Sequence, residues 1–150
     1  MFTYRESTKS DLEWIVDYKK KMFIEFGRGD LLAKNFESIV IKDYESLYRK
    51  DLAKHFVCEV NDKPVAIVGA FIKSDLPFRY FVFSSYGFIG DVYTCQDQRG
   101  NGLASTLNNQ AIDWLKSKGV SYVRLLASDA GRPIYEKLGF KPTEDMELIL

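Results

Sequence analysis

The sequence predicts a single domain of the α/β (α+β) class, in which strand-like and helix-like segments follow one another. Its length of 150 residues suits one hydrophobic core. Hydrophobic residues make up 46% of the chain and aromatic residues 15%, which is enough to build that core without disulfides or a metal ion. Because no repeat, low-complexity tract or linker interrupts the pattern, we assign residues 1–150 to one domain.

Hydrophobic periodicity and turn residues place the predicted elements along the chain. In order, they are strand 2–4, helix 11–26, helix 31–54, strand 55–60, strand 64–72, strand 87–94, helix 103–116, strand 120–126, helix 132–138 and strand 146–150. The strands alternate or are wholly apolar, whereas the helices place apolar residues three and four positions apart. The stretch around Pro77 is rich in aromatic rings and predicts a long connection or an extra pair of strands.

Local signals mark where several of these elements begin and end. Ser10 and Glu13 have the spacing of a capping box at the start of the first helix, and Gly27 ends that helix. The β-branched run at 39–41 suggests a break within the second helix. Residues 61–63 (Asn-Asp-Lys) predict a hairpin turn between two strands.

Charge, cysteine and histidine content argue against several classes of protein. Lys+Arg and Asp+Glu number 21 each, so the chain lacks the excess of basic residues that would predict a nucleic-acid partner. Cys58 and Cys95 are too few for a secreted disulfide scaffold, and His55 alone predicts no metal site. The N-terminus lacks a signal-peptide pattern, and no apolar run approaches the ~20 residues that span a bilayer. We therefore expect a cytoplasmic protein without a membrane partner.

The most informative segment is residues 99–104 (RGNGLA), which lies where a predicted strand passes into a predicted helix. The first turn of a helix leaves backbone N–H groups unpaired, and the helix dipole adds partial positive charge there. Glycines at this step allow positive φ and a close approach of backbone to phosphate. The segment therefore predicts an anion cradle that needs few cationic side chains.

Several functions compete for such a cradle. A P-loop requires Gly-Lys-Ser/Thr, which this sequence does not contain. A dinucleotide fingerprint requires G-x-G-x-x-G, but Ser105 occupies the position of the third glycine. The remaining candidates are the pyrophosphate of coenzyme A and a glycine-rich turn that serves only the path of the chain.

Two motifs in the same order and spacing resemble the GNAT superfamily of acyl-CoA N-acyltransferases. Residues 92–94 (VYT) precede the family signature R/Q-x-x-G-x-G/A, which is met by Arg99, Gly102 and Ala104. Residues 135–140 (YEKLGF) match a second family segment, which ends the short helix after the next strand. Together the two motifs are far more specific than either one alone.

The resemblance covers about residues 87–150 and is weak before residue 54. It implies a three-layer fold with a central mixed, mostly antiparallel sheet of about six to seven strands and about four helices. It also implies acetyl-CoA (coenzyme A) as cosubstrate, without a metal, and direct transfer of the acyl group to a primary amine in a ternary complex. Strand 87–94 would then separate from strand 120–126, so that free N–H groups face the acyl-pantetheine arm. The residues implied to bind the cofactor are Val92, Tyr93, Thr94, Arg99, Gly100, Asn101, Gly102, Leu103, Ala104, Ser105 and Ser128.

The resemblance also implies catalytic roles. Tyr135 matches the family's general-acid tyrosine, since a phenol of pKa about 10 can donate to a thiolate of pKa about 8.5. The general base that would deprotonate the amine is less clearly identified, because Phe88 and Gly90 stand where some family members carry a carboxylate or histidine. A water relay to a remote carboxylate therefore stays open. The carboxylates that are candidates for the base are Asp91, Glu59, Glu25 and Asp129.

Residues 25–32 and 76–86 are expected to form the acceptor side, where Glu25 is a candidate for attracting an ammonium group. The rings Phe78, Tyr80, Phe81, Phe83 and Tyr86 could line an amine pocket, fill the core or form the seam of a homodimer. The acceptor is expected to be a small-molecule or peptide amine. Two other functions stay open: a non-catalytic acyl-CoA sensor on the same fold, and a Rossmann-type nucleotide enzyme.

Overall fold

The computed structural model describes residues 1–76 and 84–150, which form a sheet between two layers of helices. The strands are β1 (Phe2–Glu6), β2 (Ala53–Val60), β3 (Lys63–Ser74), β4 (Ser85–Thr94) and β5 (Val123–Leu125). The helices are α1 (Leu12–Glu25), α2 (Phe36–Arg49), α3 (Leu103–Ser117) and α4 (Arg132–Lys137). Short 3-10 turns lie at Lys9–Asp11, Gly29–Leu31 and Gln96–Gln98.

The strands lie side by side in the order β1-β2-β3-β4-β5. Neighbours are antiparallel from β1 to β4, and β5 runs parallel to β4. The predicted hairpin turn is confirmed between β2 and β3, where Asn61 and Asp62 have φ of 50° and 60°. Two consecutive left-handed residues are typical of the type I′ turn, which suits the twist of paired strands.

Each face of the sheet carries its own hydrophobic core. On one face, α3 packs against β2, β3 and β4 through fully buried residues such as Leu107 and Leu115. On the other face, α1 packs against β4 and α2 against β2, with Ile15 and Val16 fully buried. The predicted three-layer arrangement is therefore confirmed.

The helices begin and end somewhat differently from the sequence expectation. The capping box forms between Thr8 and Asp11, whose carboxylate accepts the Thr8 backbone N–H at 2.7 Å, and not between Ser10 and Glu13. The predicted break at 39–41 is wrong, because those residues lie inside the continuous helix α2. A helix that packs along one face tolerates β-branched residues, since tertiary contacts outweigh their small propensity cost.

The sheet has five strands, which is fewer than the six to seven expected. The predicted closing strand at 146–150 is absent from the described part of the chain, and the predicted strand 120–126 is reduced to β5. Met146 and Leu148 have exposed fractions of 98% and 82%, so their alternating pattern packs on no sheet face. An alternating sequence becomes a strand only when a partner edge takes its hydrogen bonds.

No helix within the described ranges is long and apolar enough to cross a membrane.

An ion cluster joins the N-terminal strand to the rest of the fold and carries a pH prediction. Arg5 binds both oxygens of Asp11 at 2.9 Å and also contacts Glu59 at 2.6 Å. The hydrogen bond from Arg5 is the main reason why the pKa of Asp11 falls from 3.8 to about 2, although burial opposes this. A carboxyl with a depressed pKa stabilises the fold above its unfolded pKa and loses that contribution as the pH falls.

We therefore expect Asp11→Asn to lower the free energy of unfolding at pH 7 by about 1–2 kcal/mol, a figure reduced for the exposure of Arg5. Urea denaturation at pH 7 and between pH 4 and pH 2 measures this effect. The difference between wild type and variant should shrink as the pH falls through that window. A difference that persists unchanged at pH 2 would contradict the assignment.

Candidate active site

A β-bulge interrupts the pairing of β3 with β4. Ile67 pairs with Tyr93 and Gly69 pairs with Gly90, so that one residue of β3 opposes two residues of β4, 91 and 92. Asp91 in the bulge has φ of 53°, which is the left-handed region. A bulge reverses the alternation of backbone groups along the strand beyond it.

Strands β4 and β5 part just before this bulge. They pair from Gly87 to Ile89 on β4, and within the described ranges this ladder does not continue past the contact of Ile89 with Leu125. The stretch 90–94 of β4 therefore has an edge without a strand partner on the β5 side.

Alternation of the backbone shows which amides face that edge. The Cys95 N–H donates to the Val65 carbonyl of the β3 side at 2.8 Å. The N–H groups of Thr94 and Val92, one and three residues earlier, therefore turn away from β3 toward the open edge, whereas that of Tyr93 faces β3. The Thr94 carbonyl, on the same open side, accepts Arg99 Nε at 3.0 Å.

The open edge leads into the predicted anion cradle. Gly100 and Gly102 have φ of 83° and 72°, and a Cβ added at either position would meet no atom within 4 Å. Helix α3 begins at Leu103, and its first N–H with an acceptor is that of Thr106, bonded to the Gly102 carbonyl at 3.1 Å. Within the described ranges, the N–H groups of residues 100–105 donate to no other protein group. These groups are available to an anion.

The cradle also contacts the end of helix α1. Arg99 donates to the Glu25 carboxylate at 2.6 Å, and the Tyr93 hydroxyl lies 3.4 Å from the same carboxylate. Asn101 donates to the Gln98 carbonyl at 2.9 Å, which closes the turn before the cradle. The structure therefore brings Glu25 to the loop, although 74 residues separate it from Arg99.

Two further candidates lie at helix α4, with Tyr135 inside it and Ser128 just before it. Tyr135 is 8% exposed and packs against Gly131 and Phe140. Burial raises the pKa of its hydroxyl above the ordinary value, so the phenol stays protonated at neutral pH. Ser128 Oγ accepts the Gly131 N–H at 3.1 Å and so shapes the turn into α4.

Tyr135 borders a cavity of about 870 Å³ between β5, α4 and the segment that follows α4. Leu125 and Arg124 of β5 line the same cavity, and so does Phe88 of β4. The cavity therefore adjoins the paired part of β4 and β5, and Leu125, whose contact with Ile89 ends the ladder, lies in its wall.

Asp91 was predicted as a candidate base, and its surroundings bear on that hypothesis. Its side chain is fully buried and accepts from Lys19 at 2.5 Å, from His55 Nε2 at 2.8 Å and from the Tyr44 hydroxyl. Burial alone would raise the pKa of this carboxyl, but the Lys19 ammonium and His55 hold it well below its usual range. Such a carboxylate is a poor proton acceptor at neutral pH.

Other sequence candidates lie elsewhere. Glu59 pairs with Arg5 beside β1, which is the opposite edge of the sheet from β5. Asp129 is exposed in the turn before α4. The rings at 78, 80, 81 and 83 lie outside the described residues, whereas Tyr86 pairs with Lys73 at the start of β4. Within the described ranges, no three His, Cys, Asp or Glu residues are arranged to hold a metal ion.

Sequence reasoning did not assign roles to Lys19, Tyr44 and His55, the three residues that bind Asp91. His55 is the one histidine of the chain and directly precedes the apolar run at 56–58. That polar residue at an inward position was the available signal, because a buried polar side chain requires a partner. The partner itself could not be read from the pattern.

Comparisons with known proteins agree on one family. The model of the acetyltransferase (GNAT) family matches residues 15–140. The chain is also 28% identical over 148 residues to an uncharacterised N-acetyltransferase of Methanocaldococcus jannaschii. That match covers 95% of this chain and 62% of the relative, so the chain spans less than two thirds of the curated relative's length.

Solved structures share the same fold. A predicted acetyltransferase with acetyl-CoA from Clostridium acetobutylicum matches with a TM-score of 0.89 at 23% identity, over 100% of this chain and 96% of that one. A GCN5-related N-acetyltransferase from Ralstonia eutropha JMP134 matches with a TM-score of 0.91 at 22% identity, over 100% and 99%. A glucosamine-6-phosphate N-acetyltransferase from Arabidopsis thaliana matches with a TM-score of 0.69 at 23% identity, over 100% and 98%. The fold expected from the sequence is confirmed.

Proposed function

Because this chain belongs to the GNAT family of acetyltransferases, we propose that it transfers an acetyl group from acetyl-CoA to the primary amine of a small molecule or peptide. The amine attacks the thioester directly in a ternary complex. A carbon–nitrogen bond forms, the carbon–sulfur bond breaks, the amine loses a proton and the departing thiolate gains one.

The observation that carries this proposal is two neighbouring sets of backbone donors that have no protein acceptor within the described ranges. The first set is the Val92 and Thr94 amides at the open edge of β4, and the second is the N–H groups of residues 100–105. Backbone donors at a strand edge suit an extended amide chain, and donors at a helix N-terminus suit a diphosphate. Coenzyme A carries both groups in that order, so the residues present fit it.

Each part of the chain then has a separate task. The N–H groups of residues 100–105 hold the diphosphate, and the open edge of β4 orients the pantetheine arm. The Val92 N–H donates to the thioester carbonyl as negative charge develops on its oxygen. Tyr135 keeps its proton because of burial and donates it to the departing sulfur.

The proton of the acceptor amine leaves through water. Asp91 is engaged by three donors and its pKa is depressed, so direct proton transfer to it would break a buried ion pair. We therefore assign deprotonation to a water-mediated route, which leaves Asp91 ionised throughout.

The proposed function is tested by binding of acetyl-CoA, followed by a thiol-release assay with a panel of amines. Isothermal titration with acetyl-CoA should show binding, and thiol release should follow when one of a panel of amino acids, polyamines, aminoglycosides and peptides is added. Heat of binding without thiol release for any amine would instead favour a non-catalytic acyl-CoA sensor. Absence of binding to acetyl-CoA would contradict both functions.

Glu25 gives a prediction about the acceptor. We propose that it attracts the ammonium form of the amine, since it stands beside Tyr93 at the open edge. Glu25→Gln should then raise KM for the amine several-fold and change the Kd for CoA by less than about twofold, since an exposed ion pair contributes little. Steady-state kinetics measure the first value and titration the second. An unchanged amine KM with tighter CoA binding would show that Glu25 only restrains Arg99.

A further inference from the structure

The backbone of Asp91 stands in a conformation that needs support. Four non-glycine residues in the described ranges have positive φ, and three of them, Asp51, Asn61 and Asp62, lie in exposed turns. Asp91 is the fourth, with φ of 53° inside a strand and a side chain that is fully buried. The left-handed conformation costs energy for a residue with a Cβ, so it persists where the surroundings hold it.

Residues from three elements of the fold bind the Asp91 carboxylate and so support this conformation. Lys19 of α1 donates to Asp91 Oδ1 at 2.5 Å, His55 Nε2 of β2 donates to Oδ2 at 2.8 Å, and the Tyr44 hydroxyl of α2 also donates to Oδ2. The side chain of Lys19 is 20% exposed, whereas His55 and Asp91 are fully buried. Charge-assisted hydrogen bonds from three directions hold the carboxylate in a single position.

The histidine is fixed in turn by an outer pair of hydroxyls. His55 Nδ1 lies 2.7 Å from the Tyr48 hydroxyl, which lies 2.6 Å from Ser7 Oγ. A carboxylate only accepts hydrogen bonds, so His55 Nε2 carries a proton and Nδ1 is free to accept from Tyr48. The backbone also leaves room for the ring, because a Cβ at Gly69 would stand 3.0 Å from Nε2.

We propose that Asp91 is a positioning residue, whose carboxylate, held by Lys19, Tyr44 and His55, locks the bulge of β4 and thereby aims the Val92 N–H at the thioester carbonyl. The identification of that carbonyl rests on the proposed function. Asp91 itself touches neither substrate nor cofactor. It acts through the adjacent peptide unit, in which a shift of about 1 Å can cost about a hundredfold in rate.

This role differs from that of a residue that only stabilises the fold. The Val92 N–H would contact the acyl group and not the rest of coenzyme A, so its position affects acetyl-CoA but not CoA. A change in the hydrogen bonds that hold the Asp91 carboxylate should therefore alter the ratio of the affinities for acetyl-CoA and CoA, and it should also alter kcat. A purely structural contribution would lower the melting temperature and leave that ratio unchanged.

The test compares two conservative changes on helix α2. Tyr44→Phe removes a hydroxyl bonded directly to Asp91, whereas Tyr48→Phe removes one bonded to His55 and Ser7. We expect Tyr44→Phe to lower kcat at least about tenfold and to reduce the preference for acetyl-CoA over CoA, with KM for acetyl-CoA changed less than about threefold. Tyr48→Phe reaches Asp91 only through His55, so it should lower the melting temperature as much as Tyr44→Phe does but reduce kcat and the ratio of affinities much less, by at most about threefold.

Asp91→Asn supplies a second measurement that keeps the backbone conformation, because asparagine tolerates the left-handed region. We expect it to lose the preference for acetyl-CoA as Tyr44→Phe does. If both variants fold, retain kcat within twofold and keep the ratio of affinities, the positioning role is overturned. The ratio is measured by titration without an acceptor, so it remains informative if no amine in the panel is acetylated. A wild type that binds neither ligand would overturn the proposed function instead.

Discussion

Replacing Tyr135 by phenylalanine is expected to lower kcat about a hundredfold, which is the lower end of the range for loss of a general acid. The Kd for CoA should stay within about twofold of the wild-type value. The ring packs against Gly131 and Phe140, and these contacts do not involve the hydroxyl. The fold and the cavity wall should therefore survive the change. What is lost is the proton that the buried phenol holds at neutral pH.

The control is Tyr4→Phe, which removes a hydroxyl from β1, at the opposite edge of the sheet from β5. Stopped-flow or steady-state thiol release, with titration of CoA, measures both variants. The pH dependence adds a sign: a general acid acts below its pKa, and burial raises that of Tyr135. Loss of activity through ionisation of Tyr135 should therefore have its midpoint above pH 10, the ordinary pKa of the group. Wild-type turnover in Tyr135→Phe would remove the acid role.

Placing a negative charge at Gly102 is expected to weaken CoA binding about a hundredfold relative to a neutral residue of the same shape. Two unit charges about 5 Å apart repel by about 3 kcal/mol at an effective dielectric constant near 20, and salt reduces this figure. Gly102 has φ of 72° and open space at its Cβ position, so a side chain fits there without a clash, next to the N–H groups of the cradle.

The matched pair is Gly102→Asp and Gly102→Asn. Both residues tolerate the left-handed region, and they differ by one charge. Titration with CoA at low and high salt measures their affinities, and the difference should shrink as salt rises. Equal affinities of the two variants at low salt would mean that no phosphate approaches the cradle, and the binding mode would have to be abandoned.

The turn that forms the cradle could be predicted because its signals are local, whereas the catalytic role of Tyr135 stays a prediction. Gly100 and Gly102 have the positive φ that their position between strand and helix requires, and α3 begins at Leu103 as the pattern indicates. The separation of β4 from β5 was expected from the family resemblance and is seen beyond Ile89. The closing strand at 146–150 was wrong, because its alternation alone does not provide a partner edge.

The amino-acid sequence by itself determined the order of the elements, the family, and the turn that presents unpaired N–H groups, since each of these depends on residues close together in the chain. The tertiary structure alone decided how Asp91 is held. Its partners Lys19, Tyr44 and His55 are 72, 47 and 36 residues away and come from three elements. Periodicity shows which face of a strand or helix is buried, but only the packing of those faces determines which polar groups meet inside.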